Sequence, residues 1–314
     1  RMWNAEYGKK LVDHYSSVLA SDGDLMEGVS QEAIAIAGHL KLSRMIVLWD
    51  DNGISIDGPL SISDSVDQVK RFQSAGWRAE RVDGHDPDAI DAAIERAKKS
   101  SKPTLIACKT IIGFGSPKRA GTSKAHGEPL GAEEAAATKA KLGISGEAFA
   151  IDPKALKAWR AVGSQGAATR KEWDARLGTL SSGKRDEFER RMSGVRSPKI
   201  GKAVAAHIKA LLAAPQNVAT RKASELALDA IKASMPELVS GSADLTPSNN
   251  TKAKGFETDV TAKNFKGRYI RWGIREHGMA AAMNGMALHG GLVAAGGTCM
   301  VFTDDARPAI RLSS

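Results

Sequence analysis

Cysteine is rare in this sequence: Cys108 and Cys299 are the only two among 314 residues. No cluster of Cys and His occurs at the spacing of a zinc site, so we expect neither a disulfide framework nor structural zinc. No apolar run approaches the roughly 18 to 20 residues of a membrane span, and no signal peptide is recognisable. The sequence therefore predicts a cytoplasmic protein without a membrane partner.

Charge of one sign is not concentrated in any arm or patch, although the formal net charge is +9. Basic residues between 139 and 209 alternate with acidic ones, which is typical of solvated helix faces and not of a nucleic-acid surface. We therefore expect no nucleic-acid partner, while positive charge near a site would suit phosphorylated substrates. A chain of 314 residues that is 42% apolar can bury a core and predicts about two domains.

Two short apolar runs are each followed by a turn rich in carboxylate and amide groups. Residues 18–20 lead into SDGD at 21–24, and residues 45–49 lead into DDNG at 50–53. The helical pattern at 27–38 between them predicts parallel strands, whose carboxyl ends hold ligands. Asp22, Asn52 and the carbonyl of Ile54 could supply hard oxygen ligands for Mg²⁺ or Ca²⁺. The alternative is that Asp-Gly and Asn-Gly simply mark turns.

The same alternation of strands and helices continues along the chain and predicts an α/β fold. Asp86 and Pro87 form a helix-start signal, and the Gly, Ser and Thr-rich stretch at 113–127, which contains His126, has the composition of a binding loop. The further predicted elements are strands at 77–82, 103–108, 238–243, 270–273 and from 293, helices at 87–99, 132–192, 204–213 and 219–233, and a linker at 193–200.

Four segments resemble the transketolase family, in the same order along the chain. They are DGDLMEG at 22–28 with Asn52 thirty residues after Asp22, IIGFGSPKRAGTSKAHGEPL at 111–130, GSADLTPSN at 241–249 and GRYIRWGIREH at 267–277. Three positions depart from the family pattern: Ser21 replaces the first glycine of the diphosphate motif, and Cys299 and Asp305 stand where Phe and Tyr are typical.

The resemblance implies two α/β domains of the thiamine-diphosphate-binding type, with parallel sheets flanked by helices. The implied domains are residues 1–196, which would bind the diphosphate and metal, and residues 197–314, which would bind the pyrimidine; both are expected to be incomplete. The first strand leads directly into the diphosphate motif and no Met stands first, so we expect an internal fragment that does not run the reaction alone. In the family the two halves of the cofactor are held by different subunits, which implies a homodimer.

The activity implied by the resemblance is transfer of a two-carbon ketol unit from a ketose phosphate, such as xylulose 5-phosphate, to an aldose phosphate. This reaction belongs to the pentose phosphate pathway and the Calvin cycle. The implied cofactors are thiamine diphosphate and Mg²⁺ or Ca²⁺. The metal ligands would be Asp22, Asn52 and Ile54; the cofactor-binding residues would be Asp22, Gly23, Asn52, Ile56, His126, Asp244, Glu276 and Phe302; the sugar-binding residues would be His126, Arg221 and Ser248.

Three of the implied site residues are expected to be catalytic. Glu276 would hydrogen-bond the pyrimidine nitrogen, Glu27 would communicate across the dimer interface, and His126 would move protons near the diphosphate. Each residue also has a simpler interpretation. A carboxylate near a helix start is favoured by the helix dipole, a loop histidine is usually just polar, and Arg221 on a helix face could form an ordinary salt bridge.

Two other functions stay open. Another thiamine-dependent enzyme, such as deoxyxylulose-phosphate synthase, would share the diphosphate motif but not the transketolase-like sequences of all four segments. A truncated, inactive relative that only binds or dimerises would keep the fold without Mg²⁺-dependent cofactor affinity.

Overall fold

A computed structural model of the chain describes residues 1–256 and 258–314. The chain forms two compact units. The central unit is His14–Asp174, and the terminal unit combines Arg1–Asp13 with Ala175–Ser314. Among the helices of the described residues, none combines the length and apolarity needed to cross a membrane.

The elements are numbered here in chain order. As far as residue 178 they are α1 (Met2–Tyr7), β1 (Ser16–Ser21), α2 (Asp22–Met26), α3 (Gly28–His39), β2 (Met45–Asp51), β3 (Ile54–Ser55), β4 (Gly58–Pro59), α4 (Gln68–Ser74), β5 (Arg78–Asp83), α5 (Pro87–Lys98), β6 (Thr104–Lys109), α6 (Lys124–Gly127), α7 (Ala132–Lys141) and α8 (Pro153–Gly178). The remaining elements are α9 (Ser182–Met192), α10 (Lys199–Ala213), α11 (Thr220–Ile231), β7 (Leu238–Ser242), α12 (Thr246–Asn249), β8 (Tyr269–Arg271), α13 (Glu276–His289), β9 (Val293–Gly297) and α14 (Thr303–Ser313).

The central unit is built on a parallel sheet with the strand order β1-β2-β6-β5. Its inner strand β6 is buried except at Lys109, as expected for a strand that is covered on both faces. One core cluster joins Trp49, Phe72, Trp77 and Leu105, each no more than 4% exposed. Full burial of one such side chain contributes about 1.5 to 3 kcal/mol. The predicted α/β fold with parallel strands is therefore confirmed.

The helices of this unit begin where local signals place them. Asp86 caps α5 by accepting hydrogen bonds from the amides of Asp88 and Ala89 at 3.0 and 3.1 Å, with Pro87 as the first helical residue. The predicted helix from Glu27 is wrong by one residue. Glu27 has ψ of 139° and separates α2 from α3, because its backbone is extended and only Gly28 resumes the helix.

The terminal unit contains a second parallel sheet, with the order β8-β7-β9. Its core cluster includes Leu238, Phe256 and Tyr269, the last of which is fully buried. The three strands agree with the strands predicted near 238–243, 270–273 and from 293. Helix α13 packs on β9, and α14 packs on α13, where the Asn284 amide donates to the Ala309 carbonyl at 2.7 Å.

The segment α9 belongs to the terminal unit, although the sequence suggests a solvated end of the first domain. Phe188 is 7% exposed and stacks edge-on against Trp3 and Tyr7 of α1, with ring centroids 5.0 Å away in each case. Trp3 in turn packs directly against Gly291. A Cβ at residue 291 would lie only 1.9 Å from the Trp3 ring. The predicted domain boundary at 196/197 stays a prediction.

Two adjacent arginines of α9 complete this packing. Arg190 forms two hydrogen bonds with Glu187, at 2.7 and 2.9 Å, and two with Glu237, at 3.0 and 3.1 Å. Arg191 pairs with Glu6 at 2.7 Å and donates to the Gly291 carbonyl at 3.1 Å. Arg190 and Arg191 of α9 thus form internal ion pairs, whereas Lys184, Asp186 and Glu189 remain exposed.

Candidate active site

The site residues of the central unit follow the carboxyl ends of β1 and β2. The two strands are in register, with Ser21 opposite Asp50, so the residues after them meet at one edge of the sheet. The turn predicted for residues 50–53 is shorter in the structure. Strand β2 continues through Asp51, so only Asn52 and Gly53 lie between β2 and β3. Beside this edge lies a cavity of about 610 Å³, lined by residues of β1, β2 and β6 and by the chain after β6.

Asp22 is a buried carboxylate at this edge, with 5% of its surface exposed. The Trp49 indole N–H donates to its Oδ1 at 3.0 Å, and the Gly53 amide donates to its Oδ2 at 2.9 Å. Burial raises the pKa of Asp22 and the nearby Asp51 and Asp50 raise it further, so the pKa lies above its ordinary value despite these two hydrogen bonds. Among the described residues, no cationic side chain pairs with Asp22.

Ser21, which departs from the family pattern, starts helix α2. Its hydroxyl accepts from the Asp24 amide at 3.4 Å and donates to the Asp24 carboxylate at 2.8 Å, while its own amide donates to that carboxylate at 2.7 Å. This reciprocal arrangement is a capping box. The serine hydroxyl therefore satisfies the Asp24 amide, which a glycine at this position would leave to solvent, and it helps to orient the first turn that contains Asp22 and Gly23.

Asn52 closes a tight turn beside Asp22. Its Oδ1 accepts from the Ile54 amide at 2.9 Å, and its amide nitrogen donates to Asp50 at 3.2 Å. The following strands β3 and β4 form a small hairpin in which Ile54 pairs with Pro59. Ile56 lies at the tip of this hairpin with 74% of its side chain exposed. Asn52 and Gly53 therefore form a turn, and the Gly53 amide of this turn contacts the Asp22 carboxylate.

The Gly-rich segment after β6 contains His126. His126 lies in the short helix α6, is exposed, and donates its amide to the Ser123 carbonyl at 2.9 Å. Ten residues earlier, Ser116 is 2% exposed and its hydroxyl donates to Glu134, which anchors this segment to α7. In the described structure no hydrogen bond joins His126 to Asp22 or Asn52. Glu27 is likewise exposed.

The site residues of the terminal unit follow the carboxyl ends of its three strands. Asp244 follows β7, Glu276 follows β8, and Phe302 comes shortly after β9. Asp244 has a left-handed backbone with φ of 65°, a strained conformation of the kind that clusters at functional sites. At the same edge Gly297 allows the chain to approach Thr251 closely, because a Cβ at residue 297 would lie 2.3 Å from the Thr251 side chain.

Glu276 is the buried carboxylate of this half. It is 7% exposed, starts α13, and accepts a hydrogen bond on Oε1 from the Thr298 hydroxyl at 2.9 Å. Thr298 comes directly after β9, so residues that follow two different strands meet at this carboxylate. Because Oε1 already accepts a hydrogen bond from Thr298, Oε2 is the oxygen that is left to bind a ligand.

The remaining predicted residues are more exposed. Phe302 ends a 3-10 turn and is 40% exposed. Ser248 lies in α12 and Arg221 in the first turn of α11; both are exposed. No hydrogen bond or ion pair joins Arg221 to Ser248 within the described part of the chain.

The donors at Asp22 fit a hard divalent cation. Asp22 is a buried carboxylate without a cationic partner among the described residues, and carboxylate, amide and carbonyl oxygens are the ligands that Mg²⁺ prefers. The residues that would hold the ion are Asp22, Asn52 and the carbonyl of Ile54. At Glu276, a buried carboxylate with one oxygen already fixed by Thr298 fits a heterocycle that offers a nitrogen acceptor or donor.

Sequence reasoning did not identify Trp49 and Thr298 as parts of the site. Trp49 looks like an ordinary apolar strand residue, and only its register opposite Ala20 brings its indole N–H to Asp22. Thr298 follows a Gly-Gly pair, a backbone that allows close approach. That pair is the one local signal that could have indicated it.

Comparison with known proteins gives concordant matches. Residues 1–197 match the family described as transketolase, thiamine diphosphate binding domain, and residues 216–314 match transketolase, pyrimidine binding domain. The chain is 52% identical over 310 residues to a transketolase of Rhodobacter capsulatus, covering 99% of this chain and 46% of the relative. It is 50% identical over 314 residues to a transketolase of Cereibacter sphaeroides, covering 100% of this chain and 47% of the relative.

Solved structures agree with these sequence matches. A transketolase of Pichia stipitis in complex with sedoheptulose-7-phosphate superposes with a TM-score of 0.91 at 37% identity, covering 99% of this chain and 48% of that one. A transketolase from Leishmania mexicana gives a TM-score of 0.89 at 37% identity, covering 96% and 45%. The chain spans about half the length of these relatives. Since the two domain families together match nearly all of its residues, the chain belongs to the transketolase family.

Proposed function

We propose that this chain supplies the diphosphate-binding and pyrimidine-binding parts of a transketolase, which moves a two-carbon ketol unit from a ketose phosphate to an aldose phosphate. The observation that carries the proposal is the pair of buried carboxylates, Asp22 and Glu276, each at the carboxyl edge of a parallel sheet. Thiamine diphosphate, when bound, supplies the electron sink that this carbon–carbon cleavage requires.

Different residues of the chain would bind the metal, bind the cofactor and transfer protons. Asp22, Asn52 and the Ile54 carbonyl would hold Mg²⁺ or Ca²⁺, which binds diphosphate oxygens, while Gly23 and Ile56 would line the cofactor. Glu276 would hydrogen-bond the pyrimidine nitrogen through Oε2, because Oε1 already accepts from the Thr298 hydroxyl. The exposed imidazole of His126 would take up or deliver protons during the reaction. Asp244 and Phe302 would flank the rings of the cofactor.

Phosphorylated sugars would bind through Arg221 and Ser248, because a guanidinium fork and a hydroxyl suit a phosphate group. Glu27 would act at the interface of a homodimer in which the two cofactor halves belong to different subunits. The two free cysteines, one buried and one exposed, fit a reducing compartment such as the cytoplasm. The pentose phosphate pathway and the Calvin cycle are the expected settings.

Binding of thiamine diphosphate to the 314-residue chain, measured by calorimetry with and without Mg²⁺, tests the site directly. We expect Mg²⁺-dependent binding that is lost in Asp22→Ala and kept in Asp91→Ala, a matched removal of an exposed carboxylate on α5. Equal affinity in Asp22→Ala and the unmodified chain would contradict the metal assignment. Absence of any Mg²⁺-dependent binding by the unmodified chain would favour the inactive relative.

Ketol transfer is tested in a chimera, in which this chain replaces the matched 310-residue segment of the Rhodobacter capsulatus relative. The assay follows transfer from xylulose 5-phosphate to ribose 5-phosphate. We expect turnover within the usual range of about 1 to 10³ per second and its loss in Glu276→Gln. A folded chimera that binds the cofactor but transfers no ketol unit would refute the proposed activity.

A further inference from the structure

His85 lies in the turn between β5 and α5, and this turn is fixed to the sheet. The Gly84 amide donates to the Lys109 carbonyl at 2.8 Å, and the His85 amide donates to the Asp83 carboxylate at 2.9 Å. A Cβ on Gly84 would lie 2.8 Å from the Lys109 carbonyl oxygen, so the turn is pressed against the end of β6. The sheet itself therefore holds the histidine in place.

The imidazole of His85 holds the chain that follows β6 in two ways. Its Nε2 accepts a hydrogen bond from the Ile111 amide at 2.9 Å. Its ring stacks on Phe114, with ring centroids 4.1 Å apart and an interplanar angle of 26°. A ring nitrogen that accepts carries no proton, so this contact requires the neutral tautomer with its hydrogen on Nδ1. Both contacted residues belong to one turn, closed by the Phe114 amide donating to the Ile111 carbonyl at 3.1 Å.

This 111–114 turn is in direct contact with the residues around His126. The Gly121 amide donates to the Ile112 carbonyl at 2.8 Å, which ties the returning chain to the turn. Gly113 has φ of 63°, and a Cβ there would lie 2.8 Å from the Cβ of Ala125, the residue before His126. A continuous path of contacts thus leads from the sheet through His85 and the turn to His126.

We propose that His85 is a positioning residue for His126: through the Ile111 amide and the Phe114 ring it fixes the 111–114 turn, and the turn fixes the backbone that presents His126. The importance of His126 rests on the proposed function, whereas the contact path does not. His85 would thus orient a side chain that transfers protons, and small displacements of such a side chain reduce reaction rates strongly.

The test uses the cofactor-free 314-residue chain and separates the two contacts of the imidazole. His85→Phe keeps a flat ring for Phe114 but removes the acceptor, whereas His85→Gln keeps an acceptor of similar reach. His39→Phe, which changes an exposed histidine at the end of α3, is the matched control. Hydrogen exchange of the Ile111 amide and the NMR resonances of the His126 imidazole are recorded for each variant, with the tautomer of His85 assigned from its ring nitrogens.

We expect Ile111 exchange to be about 3- to 10-fold faster in His85→Phe, the factor for one net hydrogen bond. The His126 resonances should shift in the same variant. His85→Gln should restore both readouts, and His39→Phe should leave both unchanged. A proton on Nε2 of His85 in the unmodified chain, or unaltered Ile111 and His126 signals in His85→Phe, would overturn the proposal. Because no cofactor is present, these outcomes are independent of whether thiamine diphosphate binds.

Discussion

Removal of the Arg190 guanidinium should destabilise the terminal unit strongly. Its partner Glu237 has only 3% of its side chain exposed, whereas Glu187 retains 34%. Breaking a buried pair from one side leaves an uncompensated charge, which costs about 3 to 5 kcal/mol. An exposed pair contributes only about 0 to 1 kcal/mol. We therefore expect Arg190→Ala to lower the free energy of unfolding several-fold more than Glu187→Ala.

The geometry predicts that charge alone does not rescue the loss. Arg190 uses two parallel hydrogen bonds to each carboxylate, and a further one at 2.6 Å to the Val195 carbonyl. A lysine ammonium is a point charge that cannot form these forked contacts. Arg190→Lys should therefore fall between the alanine variant and the unmodified chain. Lys184→Ala, an exposed basic residue on the same helix, is the control and should have little effect.

The pH dependence of this difference follows from Glu237. Burial raises the pKa of Glu237, but the hydrogen bonds and charge of Arg190 more than offset this, so the pKa lies below its ordinary value. A carboxyl group with a lowered folded pKa stabilises the protein above its unfolded pKa, and this contribution is lost as pH falls through the folded value. The gap between the unmodified chain and Arg190→Ala should therefore be full at neutral pH and shrink below about pH 4.

Urea unfolding at low salt is the suitable assay, because guanidinium would screen the ion pairs. Hydrogen exchange measured on peptides covering residues 182–195 and 236–243 assigns the effect to the terminal unit. A loss below about 1 kcal/mol in Arg190→Ala, no larger than in Glu187→Ala, would refute the view that this pair is buried and structurally important.

Three shorter predictions concern other positions. In a protein that binds the cofactor, Glu276→Gln should slow hydrogen–deuterium exchange at the thiazolium carbon by about 10²-fold or more; a normal exchange rate measured by NMR would contradict its role. Gly38→Ala should destabilise the central unit in thermal unfolding, because its Cβ would lie 1.8 Å from the Ala75 carbonyl oxygen, whereas Gly163→Ala, with nothing within 4 Å, should stabilise by up to about 1 kcal/mol; equal effects would disprove the close contact. The raised pKa of Asp22 means that its buried charge opposes folding at neutral pH, and this penalty recedes as pH falls through the raised value; Mg²⁺ affinity by calorimetry should decrease over the same range, and a pH-independent affinity would argue against Asp22 as the ligand.

Much of the fold could be predicted because its signals are local. Apolar runs, the Asp86 cap and the turn glycines lie in the sequence next to the elements that they define. The edge that collects Asp22 and Asn52 follows from the parallel pairing of two such runs. The position of Asp22 therefore needed no information beyond strand order.

The parts that could not be predicted depend on long-range contacts. The sequence of α9 is rich in charge and indicates a solvated helix, yet Arg191 is 3% exposed, since it lies over the Trp3 ring and pairs with Glu6, both far away in sequence. Likewise, nothing in the sequence around Trp49 indicates that its indole N–H donates a hydrogen bond to Asp22. The extended backbone of Glu27 is a smaller example, since a sequence that suits a helix does not reveal a single break.

The contact of Trp3 with Gly291 has a consequence for the order of events during synthesis. All of His14–Asp174 has been made before Ala175 is added, so the central unit can fold as the chain emerges. Trp3 can meet Phe188 of α9 first, and it can meet Gly291 only when a further stretch of chain has been made, roughly 5 to 20 s later at translation rates of about 5 to 20 residues per second. During that interval the Trp3 ring lacks the cover of Gly291, so nascent chains should be most dependent on chaperones at α1.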